Sequence, residues 1–245
     1  MAKPIRFDRL DALRGVAIAW MTVYHFCFDL NYFGWIRQDF YNDPLWTWQR
    51  SAIVSLFLFC AGAGQAVALH QGQTWQRFWK RWAQVAACAL LVSVVTYQTN
   101  ANTFIYFGVL HGIVVMLIIV RLTAHWGLWL WPFGALAVAS KFIAAYAIST
   151  AENLQFLNER GFNVLGWISK LPITEDYVPI FPWLGVMLWG VAAAQWLLLS
   201  RRDVITGPIS PALCALAWLG TWSLTWYMLH QPVMIGAMWL IKLGG

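Results

Sequence analysis

SAIVSLFLFCAGAGQAVALH, residues 51–70, contains no Asp, Glu, Lys or Arg over a length that crosses a bilayer. About 20 mostly apolar residues make a spanning helix. Working outward from this run, comparable segments occur at Leu13–Phe33, Trp82–Tyr97, Phe104–Val120, Trp126–Ile148, Phe181–Leu199 and Thr221–Lys242. Pro211–Leu219 is too short to cross, and residues 210–243 do not hold two spans and a turn, so that piece is expected to be an interfacial helix. The expected fold is an all-α polytopic membrane protein. It is a bundle of about seven transmembrane helices plus a short interfacial helix, forming one transmembrane domain over residues 1–245.

Composition agrees. Of 245 residues, 60% are hydrophobic and only 11% charged, against about 25% charged in an ordinary globular domain. Such a chain cannot cover its surface in water, so lipid is its solvent. The 18 tryptophans suit membrane–water interfaces. The formal charge of +6 does not indicate nucleic acid, because the basic residues fall in short clusters between apolar runs. The cysteines (Cys27, Cys60, Cys88, Cys214) lie inside apolar runs without a C-x-x-C pair, which argues against a disulfide framework or a zinc knuckle. The first apolar run lacks a small-residue cleavage site and carries Arg14, His25 and Asp29, so it reads as a retained helix and not a signal peptide.

Basic residues set the orientation. Lys3, Arg6, Arg9, Arg14, Arg77, Lys80, Arg81, Arg121, Arg201 and Arg202 share one side, which the positive-inside rule makes cytoplasmic together with the N-terminus. Acids favour the other side: Asp39, Asp43, Glu152, Glu159, Glu175 and Asp176. The long outer segment Ser149–Ile180 is partly amphipathic, with Leu154, Leu157, Leu165 and Ile168 suited to a membrane surface. Its end, ITEDYVPIFP (residues 173–182), is acidic and aromatic, and reads equally as a substrate rim or as a solvated connector.

An ionisable side chain inside a membrane is expensive and marks a functional-site hypothesis. The first helix concentrates them. Arg14 and His25 stand eleven residues apart, three turns plus about 20°, so they share a face at an axial separation of about 16 Å. Asp29 follows His25 by one turn and is placed to hydrogen-bond its imidazole; Asp11 is placed to pair with Arg14. Taken singly, Arg14 also reads as a helix-end arginine reaching for headgroups, and His25 as a structural histidine. His111 and His230 each read as either a helix–helix hydrogen bond or a site residue. Arg77, Lys80 and Arg81 suit both positive-inside charge and an anion clamp.

These residues carry a resemblance. Arg14-x10-His25 within LDALRGVA resembles the first-helix motif of a membrane acyltransferase superfamily, which includes the acyltransferase-3 O-acylating enzymes and the heparan-α-glucosaminide N-acetyltransferase type. The closer resemblance is to bacterial relatives of the latter. It rests on YHFCFDL (residues 24–30), FGVLH (107–111), FPWLGV (181–186) and YMLHQP (227–232), in order along nearly the whole chain. The resemblance implies transfer of an acetyl group from cytosolic acetyl-CoA to an amine or hydroxyl of an amino sugar or glycan, in a bacterial cytoplasmic membrane, without metal or haem. It matches His25 to a catalytic histidine and Arg14 to its partner. The lysosomal heparan enzyme has asparagine at the position of His25 and its histidine in the following loop, but Asn31–Asp43 has none here.

On this reading Arg14, Arg77, Lys80 and Arg81 hold the CoA phosphates, and His25, oriented by Asp29, is general base or acetyl carrier. His111, Tyr227 and His230 stabilise the oxyanion or place the acceptor. Glu175, Asp176 and Trp183 receive a cationic amino sugar. The partners are membrane lipid, a CoA thioester and the glycan acceptor; the oligomeric state is open, a homodimer being one option. Three alternatives stand beside it: an acyltransferase-3-like O-acyltransferase of a surface polysaccharide, a haem-binding redox protein, and a transporter or flippase, which would be expected to show internal repeats or broken helices.

Overall fold

A computed structural model describes residues 6–244; Lys3 of the N-terminal basic cluster lies outside them. The described residues form helices and loops, with one isolated bridge between Phe107 and Tyr177. The helices are α1 (Asp8–Tyr32), α2 (Pro44–His70), α3 (Trp75–Thr99), α4 (Val109–Thr123), α5 (Leu130–Thr150), α6 (Ile180–Ser200), α7 (Arg202–Thr206), α8 (Pro211–Thr221) and α9 (Ser223–Gly244). The chain folds as two compact units, Met1–Phe57 with Arg201–Gly245 and Leu58–Ser200, the division falling within α2.

The all-α membrane architecture is as expected, but the count of crossings depends on how the segments are divided. By length and composition, four stretches are suited to cross, or five if α8 and α9, bent by 82° at their junction, are taken as one broken span. The expectation of seven counts α1 as well and divides Val109–Thr150. That stretch is 42 residues long, about 63 Å as continuous helix, twice a hydrocarbon core of about 30 Å. It is broken by the 3₁₀ segment Ala124–Trp129, where Gly127 takes φ +56°. α1 falls outside the strictly apolar set, and it carries Arg14, His25 and Asp29.

In the first unit, α8 crosses α1 in backbone contact. A Cβ on Gly15 would overlap the carbonyl of Leu216, and one on Gly220 the carbonyl of Asp11. Between helices in lipid, such close approach of small residues is a main source of attraction. Pro211 at the first turn starts α8 without a lost hydrogen bond. The segment expected to be an interfacial helix is therefore packed along α1. α9 meets α1 further along: Trp226 donates from its indole to Thr22 Oγ1 at 2.9 Å, and Lys242 lies over the rings of Phe33 and Trp239. The loop between α1 and α2 folds back so that Phe40, 2% exposed, sits among Tyr24, Phe28 and Trp46. Asp39 turns this loop by accepting from the backbone N–H groups of Tyr41 and Asn42 and the Asn42 amide, which holds its carboxyl below the usual range.

The second unit uses the same small-residue packing. A Cβ on Gly185 of α6 would strike the Gly134 carbonyl of α5, and one on Gly190 would strike that of Phe59 in α2. Arg121, expected as a plain cytoplasmic charge, is 7% exposed. It donates to the Gln73 carbonyl at 2.6 Å and to its Oε1 at 3.3 Å, under the rings of Trp75 and Phe78. It anchors the α2–α3 turn to α4.

Candidate active site

α1 is continuous from Asp8 to Tyr32, so the face shared by Arg14 and His25 is real, with about 16 Å of rise between them. Arg14 Nη1 donates to Asp11 Oδ1 at 2.8 Å, as the three-residue spacing leads one to expect. The guanidinium keeps further N–H donors.

His25 does not bond to Asp29. Its Nδ1 lies 2.7 Å from Nε2 of His230, with the ring planes within 12° of parallel. The second imidazole fixes the tautomers. His230 Nδ1 faces backbone carbonyls of its own helix, Tyr227 at 2.8 Å and Trp226 at 3.2 Å. A carbonyl only accepts, so Nδ1 of His230 carries a proton. In the neutral ring Nε2 is then bare and accepts from His25 Nδ1–H, and the proton count assigns the lone pair of His25 to Nε2. No hydrogen bond among the described residues engages that Nε2. The chain of donors thus ends on one free basic nitrogen, on the face of α1 that also bears Arg14.

Asp29, expected to orient His25, is 2% exposed and accepts from Gln231 Nε2 at 2.8 Å. The physical reason is geometric. α9 brings His230 and Gln231 in succession against α1, so His230 takes the imidazole and Gln231 the carboxyl. Gln231 was not singled out from sequence, although it directly follows His230 in YMLHQP.

A family model described as heparan-alpha-glucosaminide N-acetyltransferase, catalytic, matches residues 6–232. The chain belongs to this family. The match begins just ahead of α1 and ends in α9 after Gln231, so it takes in both residues of the imidazole pair and both of the Asp29–Gln231 pair. No curated protein and no solved structure matches.

In this acetyltransferase-family chain the remaining expected residues are distributed as follows. Arg77, Lys80 and Arg81 are exposed on the first two turns of α3, whose N-terminus Thr74 caps by accepting from the Arg77 N–H. Tyr227 supplies the carbonyl under His230, and its ring packs edge-on to Phe57. His111 has both nitrogens engaged: Nδ1 accepts from Gly108 N–H at 3.3 Å, and Nε2 meets Ser93 Oγ at 3.0 Å. It caps α4 and ties it to α3.

The acidic end of the outer segment is strapped to residues 103–109. Glu175 accepts from Thr103 Oγ1 at 2.8 Å, and Asp176 Oδ2 accepts from Val109 N–H at 2.8 Å, at the positive end of α4. Tyr177 donates to the Asn163 carbonyl and Tyr106 to its Oδ1. Burial holds both phenols above their ordinary range, so they act as donors at neutral pH. These contacts favour the connector reading of Glu175 and Asp176 over the substrate rim. Trp183 is half-buried in the first turn of α6.

Proposed function

We propose that this protein is a membrane acetyltransferase that moves the acetyl group of acetyl-CoA to an amine of an amino sugar or glycan, with His25 Nε2 as proton acceptor. The observation that carries this reading is the His25–His230 pair, which supports a single basic nitrogen held in a defined orientation. The acceptor nitrogen attacks the thioester carbonyl and Nε2 takes the proton it sheds; the C–S bond breaks, and the departing CoA sulfur takes that proton from Nε2 and leaves as the thiol, returning His25 to its neutral form. His230 receives the Nδ1–H bond throughout, and that bond strengthens as His25 becomes an imidazolium.

Arg14 is assigned to the anionic end of the donor, its offset of about 16 Å from His25 being of the scale of a pantetheine arm. Arg77, Lys80 and Arg81 form an exposed basic row for phosphates, whether of donor or of lipid. The positive-inside rule supports a cytoplasmic N-terminus in a bacterial cytoplasmic membrane, with the acceptor at the membrane or beyond it.

The test is incubation of the lipid-embedded protein with radiolabelled acetyl-CoA and a panel of amino sugars and glycans. Label should pass to an amine with wild-type protein and not with folded His25→Ala. Wild-type-like turnover by that variant overturns the mechanism. Acceptor transport without acetyl transfer assigns the protein to the flippase class, and a trapped acetyl-histidine makes the same nitrogen a carrier.

A further inference from the structure

Beyond the imidazole pair, α1 and α9 make a further polar contact that the mechanism above does not use. Asp29 is 2% exposed, and its Oδ1 accepts from Gln231 Nε2 at 2.8 Å. The other oxygen of each side chain, Asp29 Oδ2 and Gln231 Oε1, is enclosed and has no hydrogen-bond partner among the described residues. No Arg, Lys or His among them forms an ion pair with Asp29.

We propose that Asp29 is a neutral carboxylic acid joined to the Gln231 amide in a two-bond ring, and that this ring positions His230 against His25. A carboxylate only accepts, so an ionised Asp29 leaves two buried oxygens without a donor and a charge without a partner, the most expensive condition for a polar group in an apolar setting. One proton on Oδ2 removes both defects. Amide and acid have complementary edges: the amide N–H bonds the acid carbonyl, and the acid O–H bonds the amide carbonyl. The bond already in place is the first half of that ring.

Sequence spacing gives the ring its role. Asp29 stands one turn past His25 on α1, and Gln231 directly follows His230 on α9. The acid–amide ring is thus the neighbouring rung to the imidazole pair, and it fixes the rotation of α9 that presents His230 Nε2 to His25. Asp29 is a positioning residue in this scheme.

The protonation state stands by itself, whereas the positioning role rests on the proposed acetyl transfer. Two measurements on the full-length, lipid-embedded protein keep them separable. In infrared spectra at neutral pH, wild type should show the carbonyl stretch of a buried protonated carboxyl group that is lost in Asp29→Asn. Asparagine rebuilds the ring, its amide N–H replacing the acid O–H, so Asp29→Asn should keep kcat within about threefold of wild type. Asp29→Leu, which cannot, should lower kcat about tenfold, the worth of roughly one hydrogen bond, with the donor KM unchanged. An ionised carboxylate signal at Asp29, or a loss in Asp29→Asn as deep as in Asp29→Leu, overturns the proposal. If instead the acid band is present while His25→Ala keeps full activity, the His25 mechanism and with it the positioning role fail, and the neutral pair survives.

Discussion

His25 in the first unit and His111 in the second both join two helices, yet they are left in different chemical states. His25 gives Nδ1–H to His230 and retains Nε2 without a partner among the described residues; His111 accepts from Gly108 at one nitrogen and meets Ser93 at the other. The two differ in what faces them. An imidazole whose partner is another imidazole, itself pinned to a carbonyl, is left with one basic site. An imidazole lying between a helix N-terminus and a serine is consumed by capping. Intramembrane position alone does not separate a reactive histidine from a structural one; the hydrogen-bond inventory of its neighbours does.

The largest effect that this contrast calls for is at His25. His25→Ala should lower acetyl transfer by about 10²–10⁴-fold, the range of a lost general base, with the protein still folded and inserted as judged by size exclusion and thermal stability. His111→Ala should do the reverse: roughly 1–3 kcal/mol less stable, from the partners it leaves unmet, with kcat per folded molecule unchanged. A loss of kcat there as deep as at His25 would break the comparison.

His230→Ala removes the orienting acceptor but leaves the base, so a smaller fall of about tenfold in kcat is expected, the worth of one hydrogen bond. A drop equal to that of His25→Ala would make His230 a direct participant in the chemistry. The smallest effect belongs to the capping acid. Asp176→Ala should cost about 1 kcal/mol of stability, as a lost N-cap does, with acceptor KM unmoved. A clear rise in that KM would return Asp176 to the substrate rim.

The membrane architecture was legible because it depends on local composition: long apolar runs have no stable alternative to spanning or burial. The shared face of Arg14 and His25, and the Asp11–Arg14 pair, were legible because both are geometry within one helix. Helix ends were read less well. α2 begins at Pro44 and α3 at Trp75, each seven residues before the apolar runs placed at Ser51 and Trp82, because interfacial tryptophans and a capping threonine extend a helix beyond its hydrocarbon-facing part. The partners of His25 and Asp29 were not legible. Helix spacing pairs the two within α1, whereas the actual partners come from α9, more than 200 residues away.

By itself the sequence determined an all-α membrane protein with a cation and an imidazole on one line of the first helix, since periodicity and hydropathy act over neighbouring residues. Tertiary structure decided which imidazole pairs with which, which acid lies beside an amide, and which histidine keeps a free nitrogen. Hydrogen bonds of a few ångströms between distant segments depend on the rotation and close approach of whole helices, and here Gly15 and Gly220 permit the α1–α8 contact from which α9 departs.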